Sequence, residues 1–226
     1  MAEQTQPSLS LVHLAQQPRQ PTGGAPPVLF LLHGYGSNEE DLFGLAPYLD
    51  PRLLIVSARA PYTLMPGGYA WFELGWTATG ITIDFQQAER SYKQLAGFIG
   101  EALTAYGGDP ARVYLLGFSQ GAMICASVAL TEPELVAGTV LMSGRVPDEL
   151  RPAIASAERL AGKPFLVVHG TADQVLPIQN GRASRAILAA LPVSLTYQEY
   201  PMAHEVSARS LADVAAWLAA QLDSHS

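Results

Sequence analysis

A chain of 226 residues, 49% hydrophobic and 15% charged, can bury a substantial core, which excludes disordered and fibrous classes. A formal net charge of −7, with no lysine- or arginine-rich patch to offset it, argues against a nucleic-acid partner. The single cysteine, Cys125, excludes an internal disulfide and a cysteine metal cluster, and no apolar run approaches the roughly 20 residues of a membrane span. The N-terminus MAEQTQPSLS has neither the basic head nor the apolar block of a secretory signal, so a cytoplasmic location is expected.

Residues 1–7 are expected to form a flexible leader. SLSLVHLA (8–15) reads as a first strand and QQPRQPTGGAPP as a turn or loop. VLFLLH (28–33) is a buried-strand candidate, followed by a helix across about 38–48 and a strand at LLIVSA (53–58). The segment 59–83 carries aromatics and glycines with little periodicity. Over 84–107, apolar Ala88, Tyr92, Leu95, Ile99 and Leu103 have helical spacing.

A strand at 112–117 then hands over to a helix at 119–131. Further strands are expected at 139–144, 165–170 and 194–200, with helices near 177–191 and 206–221. Short, almost wholly apolar strands alternating with helices imply an α/β fold with a mostly parallel sheet covered on both faces. No repeat or linker divides the core, so residues 1–226 are expected to form a single domain. In such a sheet the chemistry collects at the carboxyl ends of the strands.

Gly117-Phe118-Ser119-Gln120-Gly121 matches G-x-S-x-G, a tight strand-to-helix turn that exposes a serine hydroxyl above the sheet. The setting between RVYLLG and AMICASVAL is what gives the short pattern weight. A serine needs a base to take its proton and a third group to orient that base. His204, in the loop PMAHEV between the last strand and last helix, is placed to be the base. His169 lies inside a strand and is expected to be packed or locally hydrogen-bonded, and His225 is nearly terminal.

Asp173, directly after the strand 165–170, is the candidate acid; Asp109 reads as a turn or cap, and Asp148 as a helix start. The order Ser119, Asp173, His204 is the order of an α/β-hydrolase triad. The oxyanion formed during attack needs donors. Candidates are the backbone N–H of Gln120, at a helix N-terminus, and that of Tyr35, in the glycine-rich HGYGS (33–37). His33 is expected to fix that loop rather than transfer protons, because the base role is filled. Tyr62, Trp71, Phe72 and Trp76 are the candidates for substrate contact, although each could equally anchor the 59–83 loop, as could Tyr69. Cys125, on an apolar stretch, reads as a core residue.

FLLHGYGSNEEDL, AWFEL, LLGFSQGA, HGTADQVLP and QEYPMAHEV together resemble, in order, five blocks of the carboxylesterase/phospholipase family of α/β-hydrolases, which includes the acyl-protein thioesterases. The likeness runs from about residue 28 to 220. It implies an α/β-hydrolase fold without a large lid domain and hydrolysis of short- to medium-chain esters through an acyl-enzyme, with no metal or organic cofactor. One departure is Ala203, where the family usually has glycine before the histidine; a left-handed backbone there would cost something.

The alternatives are a thioesterase or lysophospholipase acting on long acyl chains, and a non-catalytic ligand-binding hydrolase fold, which would be expected to carry a broken triad. Dienelactone hydrolases resemble the architecture but use cysteine where this chain has Ser119. The expected partner is a small-molecule ester. Apolar residues of the 59–83 segment offer a surface on which a second copy could form a homodimer.

Overall fold

The computed structural model describes residues 7–21, 23–77 and 80–224, without the side chains of residues 76, 77, 80 and 81. The strands come in chain order as β1 (His13–Gln16), β2 (Val28–Leu32) and β3 (Leu54–Ala58), then the short β4 (Tyr62–Met65), β5 (Gly68–Ala70), β6 (Leu74–Thr77) and β7 (Gly80–Ile83), and finally β8 (Val113–Phe118), β9 (Gly138–Met142), β10 (Pro164–Gly170) and β11 (Ser194–Tyr200). The helices are α1 (Glu40–Phe43), α2 (Phe85–Tyr106), α3 (Gln120–Thr131), α4 (Ala157–Leu160), α5 (Ile178–Ala189) and α6 (Ala208–Asp223).

Seven strands form one sheet in the order β1-β3-β2-β8-β9-β10-β11. All neighbours are parallel except β1 on β3. Strand periodicity sends alternate side chains to opposite faces. Val28, Phe30 and Leu32 thus join a cluster with α2, α3 and α5, while Leu29 and Leu31 join one with α1 and α6. Both faces are covered, which is why these strands read as unbroken apolar runs. Helix α3 is buried along Gln120–Leu130, so it is apolar all round rather than on one stripe.

Two expected elements differ in extent. The first strand is shorter and later than 8–15. The helix expected over 38–48 breaks into α1 and a 3₁₀ turn at Ala46–Tyr48. The segment 59–83, which lacks periodicity, folds as two hairpins, β4–β5 and β6–β7. Helix α2 is bounded by Asp84, whose side chain accepts from Gln87 N–H, and by Gly107 at φ 71°. No helix among the described residues is long and apolar enough to cross a membrane.

The chain runs from β2 outward to β3 and then returns to β8 on the other side of β2. That reversal opens a crevice at the carboxyl ends of β2 and β8. The loop 33–37 and Ser119 both leave the sheet there.

Candidate active site

Ser119 sits between β8 and α3 at φ 54°, ψ −113°, a conformation that costs on the order of 1–3 kcal/mol outside glycine. Packing on both sides holds it there. A Cβ at Gly117 would collide with the backbone of Gly121, and one at Gly121 would collide with the carbonyl of Leu32. The two glycines thus let α3 start directly against β2. Ser119 N–H donates to Met142 O at 2.9 Å, tying the turn to β9.

His204 arrives from the loop between β11 and α6. Its Nε2 stands 3.0 Å from Ser119 Oγ, and its Nδ1 stands 2.7 Å from Asp173 Oδ2. The carboxylate selects the tautomer with hydrogen on Nδ1, leaving Nε2 to accept from the serine. Phe118 lies against the ring, 4.8 Å between centroids. The loop approaches β10 closely because residue 170 is glycine; a Cβ there would strike the carbonyls of Met202 and Ala203. Ala203 does not adopt a positive φ, so alanine carries no left-handed strain at that position.

Asp173 is buried, and its Oδ1 accepts from Val175 N–H at 2.9 Å and Leu176 N–H at 2.8 Å. Behind it lies His169, fully buried, with Nε2–H donating to Leu176 O at 2.7 Å and standing 3.6 Å from Asp173 Oδ2. The ring therefore braces the turn that presents Asp173, a placement its position inside a strand did not disclose. Asp109 makes a local turn with Ala111 and Arg112, and Asp148 opens a 3₁₀ helix, so neither competes for the imidazole.

On the β2 side, Gly34 packs beside Ser119: a Cβ there would lie 3.4 Å from Ser119 Cβ. His33 is buried behind this loop. Its Nε2 accepts from Ala60 N–H at 3.0 Å and its Nδ1–H donates to Gly34 O at 2.7 Å. Burial pushes its pKa below the ordinary 6.5, so the ring stays neutral and holds the loop. Gly36 and Ser37 pair with Tyr69, whose hydroxyl meets Arg59 in the Arg59–Glu39 ion pair. Tyr35 and Gln120 both line the cleft. The Gln120 N–H begins α3 and has no i−4 carbonyl within the helix. The Gln120 side chain points the other way, bonding Trp71 N–H and Phe72 O at 2.7 Å each.

The cleft has a volume of about 560 Å³ and contains Ser119 and His204 in its wall, with apolar Phe72, Leu74, Ile83, Met123, Val175 and Leu176. A smaller cavity of about 210 Å³ shares Phe72, Ile83 and Met123 with it. Of the aromatic candidates whose side chains are described, only Phe72 lines this cleft. Trp71 is instead fully buried, donating from Nε1 to His33 O at 3.0 Å, so it anchors the loop from behind. Tyr62 sits on the first hairpin with its hydroxyl 3.1 Å from Arg90 and does not line the cleft. The Trp76 side chain lies outside the described residues, as does His225.

Sequence reasoning missed Met123, four positions after the serine on one helix, and Val175 and Leu176, directly after Asp173. Helical spacing and adjacency could have found them. Cys125 is a buried core residue whose thiol pKa burial pushes up. Among the described residues, no cluster of three histidine, cysteine, aspartate or glutamate side chains could hold a metal ion.

The phospholipase/carboxylesterase family profile matches residues 16–222. The chain belongs to the phospholipase/carboxylesterase family. It is 28% identical over 208 residues to a probable carboxylesterase SOBER1-like of Arabidopsis thaliana, covering 86% of this chain and 79% of the relative. It is 29% identical over 167 residues to acyl-protein thioesterase 1 of Kluyveromyces lactis, covering 68% and 72%. The Bacillus cereus carboxylesterase superimposes with a TM-score of 0.80 at 28% identity, over 94% of this chain and 95% of that one. The fold is therefore that of the α/β-hydrolases in this family, a mostly parallel sheet between helices. Where a large lid could stand, the described residues carry only the two hairpins within 62–83.

Proposed function

We propose that the chain is a serine carboxylesterase that hydrolyses short- to medium-chain esters through an acyl-enzyme, as one catalytic domain. The observation that carries this reading is the unbroken hydrogen-bonded series Ser119 Oγ–His204–Asp173 at the wall of an apolar cleft. Ser119 Oγ attacks the ester carbonyl carbon while its proton passes to His204 Nε2. The carbonyl oxygen becomes an oxyanion and accepts from the N–H groups of Tyr35 and Gln120. Asp173 keeps the imidazole oriented and stabilises its charged form. The C–O bond to the alcohol then breaks, and the leaving oxygen takes the proton from Nε2. Water repeats the cycle on the acyl-enzyme, its proton passing to Nε2 and on to Ser119 as the acid leaves.

A second reading, hydrolysis of longer acyl thioesters, is favoured by the smaller cavity beyond Phe72, Ile83 and Met123, into which a long chain would extend. The similarity to an acyl-protein thioesterase points the same way. One experiment separates the readings: kcat/KM for matched oxygen esters and thioesters from acetyl to palmitoyl, with Ser119→Ala as control. A peak at short oxygen esters supports the first reading, and a peak at long thioesters the second. Ser119→Ala should lower kcat by about 10⁴-fold or more. Retained turnover would remove Ser119 as the nucleophile.

A further inference from the structure

The proposed reaction leaves the guanidinium of the cleft without a task. Arg145 lines the cavity that holds Ser119, in a wall otherwise dominated by apolar side chains. A guanidinium stays charged at all working pH and offers five donors in a planar fork. Among the described residues its ionic partner is Glu149, 3.6 Å away, too far for a hydrogen bond. Glu149 is itself 42% exposed, against 21% for the Arg145 side chain. The fork is thus only weakly engaged by the protein.

Its backbone, by contrast, is tightly held. Ser143 turns the chain at φ 45°, one of the two non-glycine residues with positive φ among those described; the other is Ser119. Ser143 N–H donates to Val168 O at 2.9 Å, and Val146 N–H to Ser184 Oγ at 2.8 Å. Between them, a Cβ at Gly144 would collide with Ala122 Cβ and lie 2.8 Å from Ser119 O. Arg145 follows that glycine, so an anchored turn sets it beside the elbow. Strand order places it on the β9 side of Ser119, whereas Asp41, the acidic residue of the same cleft, follows β2 on the other side. Asp41 is occupied by Ser37 Oγ at 2.8 Å. The cleft therefore has a polarity across the nucleophile, cationic towards β9.

We propose that Arg145 is a specificity residue that pairs with a carboxylate borne by the substrate within a few bonds of the scissile carbonyl. The preferred substrates are then esters or thioesters with one free carboxylate, of which half-esters of short dicarboxylic acids are the simplest. This rests on the serine-hydrolase reading above. With a net charge of −7, the molecule as a whole repels such an anion, and a guanidinium fixed in the cleft supplies the local compensation. A bidentate carboxylate pair adds geometric selection to the charge.

The test compares kcat/KM for p-nitrophenyl hydrogen glutarate and p-nitrophenyl pentanoate, which differ in a carboxylate on the acid side. A second pair, 3-acetoxypropanoate and propyl acetate, carries the difference on the alcohol side. The anionic-to-neutral ratio should fall about ten- to a hundredfold in Arg145→Gln for one of the pairs, with part of it restored in Arg145→Lys. A ratio unchanged from the parent chain in both pairs overturns the proposal, whatever the absolute rates do. Calorimetric binding of monoethyl glutarate to the Ser119→Ala chain, with and without Arg145→Gln, reads the same contact without turnover. If none of the four esters is hydrolysed, the hydrolase reading fails. Binding lost with Arg145→Gln would still uphold the carboxylate site, and equal binding in both chains would overturn it.

Discussion

His33, His169 and His204 differ in what meets their ring nitrogens, and the difference sets what each can do. His204 has one nitrogen on a carboxylate and the other facing a hydroxyl at the cleft, the arrangement needed to carry a proton back and forth. His169 donates to a carbonyl and has no partner at Nδ1 among the described residues, so it serves as a buried brace. His33 is closed on both nitrogens by backbone. Because burial holds its folded pKa below 6.5, the unfolded chain binds a proton that the folded chain refuses as pH drops through that value. Its stabilising contribution is therefore complete above the unfolded pKa and declines as pH falls towards the folded one. The melting temperature should drop between about pH 7.5 and 5.5, and His33→Gln should flatten that slope although it lowers stability at every pH. An equal slope in both chains would show that other groups set it. Ser119, Asp173 and His204 were legible as candidates because each lies in a turn or loop that follows a strand. Tyr62 and Trp71 were not assignable, since nothing in an aperiodic segment separates an inward aromatic from an outward one.

The elbow shows how an element boundary is made from steric exclusion. Gly117 and Gly121 stand where a Cβ would meet main chain, not a flexible side-chain end that could move aside. Gly121→Ala should therefore cost about 3 kcal/mol or more, above the usual overpacking range, and be read as a large fall in melting temperature. A stable Gly121→Ala chain with normal esterase rates would mean that α3 can move away from β2. Most element types could be read from hydrophobic pattern. Helix α2 came within a residue of the expected bounds, its stripe turning on Leu95, Phe98, Ile99 and Ala102. The short α1 was overestimated, as Gly44 and Pro47 interrupt it before a second turn closes. The hairpins of 62–83 escaped notice because three- and four-residue strands show too few alternations to define a period.

The chain's path through the sheet brings together residues from five loops. The crevice between β2 and β8 places Gly34 and Tyr35 beside Ser119, while β9, β10 and β11 deliver Arg145, Asp173 and His204 in turn. The 62–83 segment lines the cleft through Phe72, Leu74 and Ile83, so in the proposed esterase acyl length would be governed by the segment with the weakest sequence signal. Ile83 is half-buried and, with Phe72 and Met123, lines both the cleft and the smaller cavity. Ile83→Ala should join them. A methylene admitted to an apolar site is worth roughly 1–3 kcal/mol, so room for even one more should raise the ratio of kcat/KM for decanoyl over butanoyl esters at least about tenfold. An unchanged ratio would mean that the smaller cavity does not receive acyl chains.

Ser119, His204 and Asp173 could be singled out as candidates before any fold was known, as could the alternation of parallel strands and helices. Each rests on local chemistry: tight turns need glycine, buried strands are apolar throughout, and loops follow strand ends. The folded arrangement alone decided which side chains face the cleft, that His169 lies behind Asp173, and that Arg145 stands across Ser119 from Asp41. Those relations join residues far apart in the chain, and strand order and close packing create them. No local pattern encodes a distance between two loops.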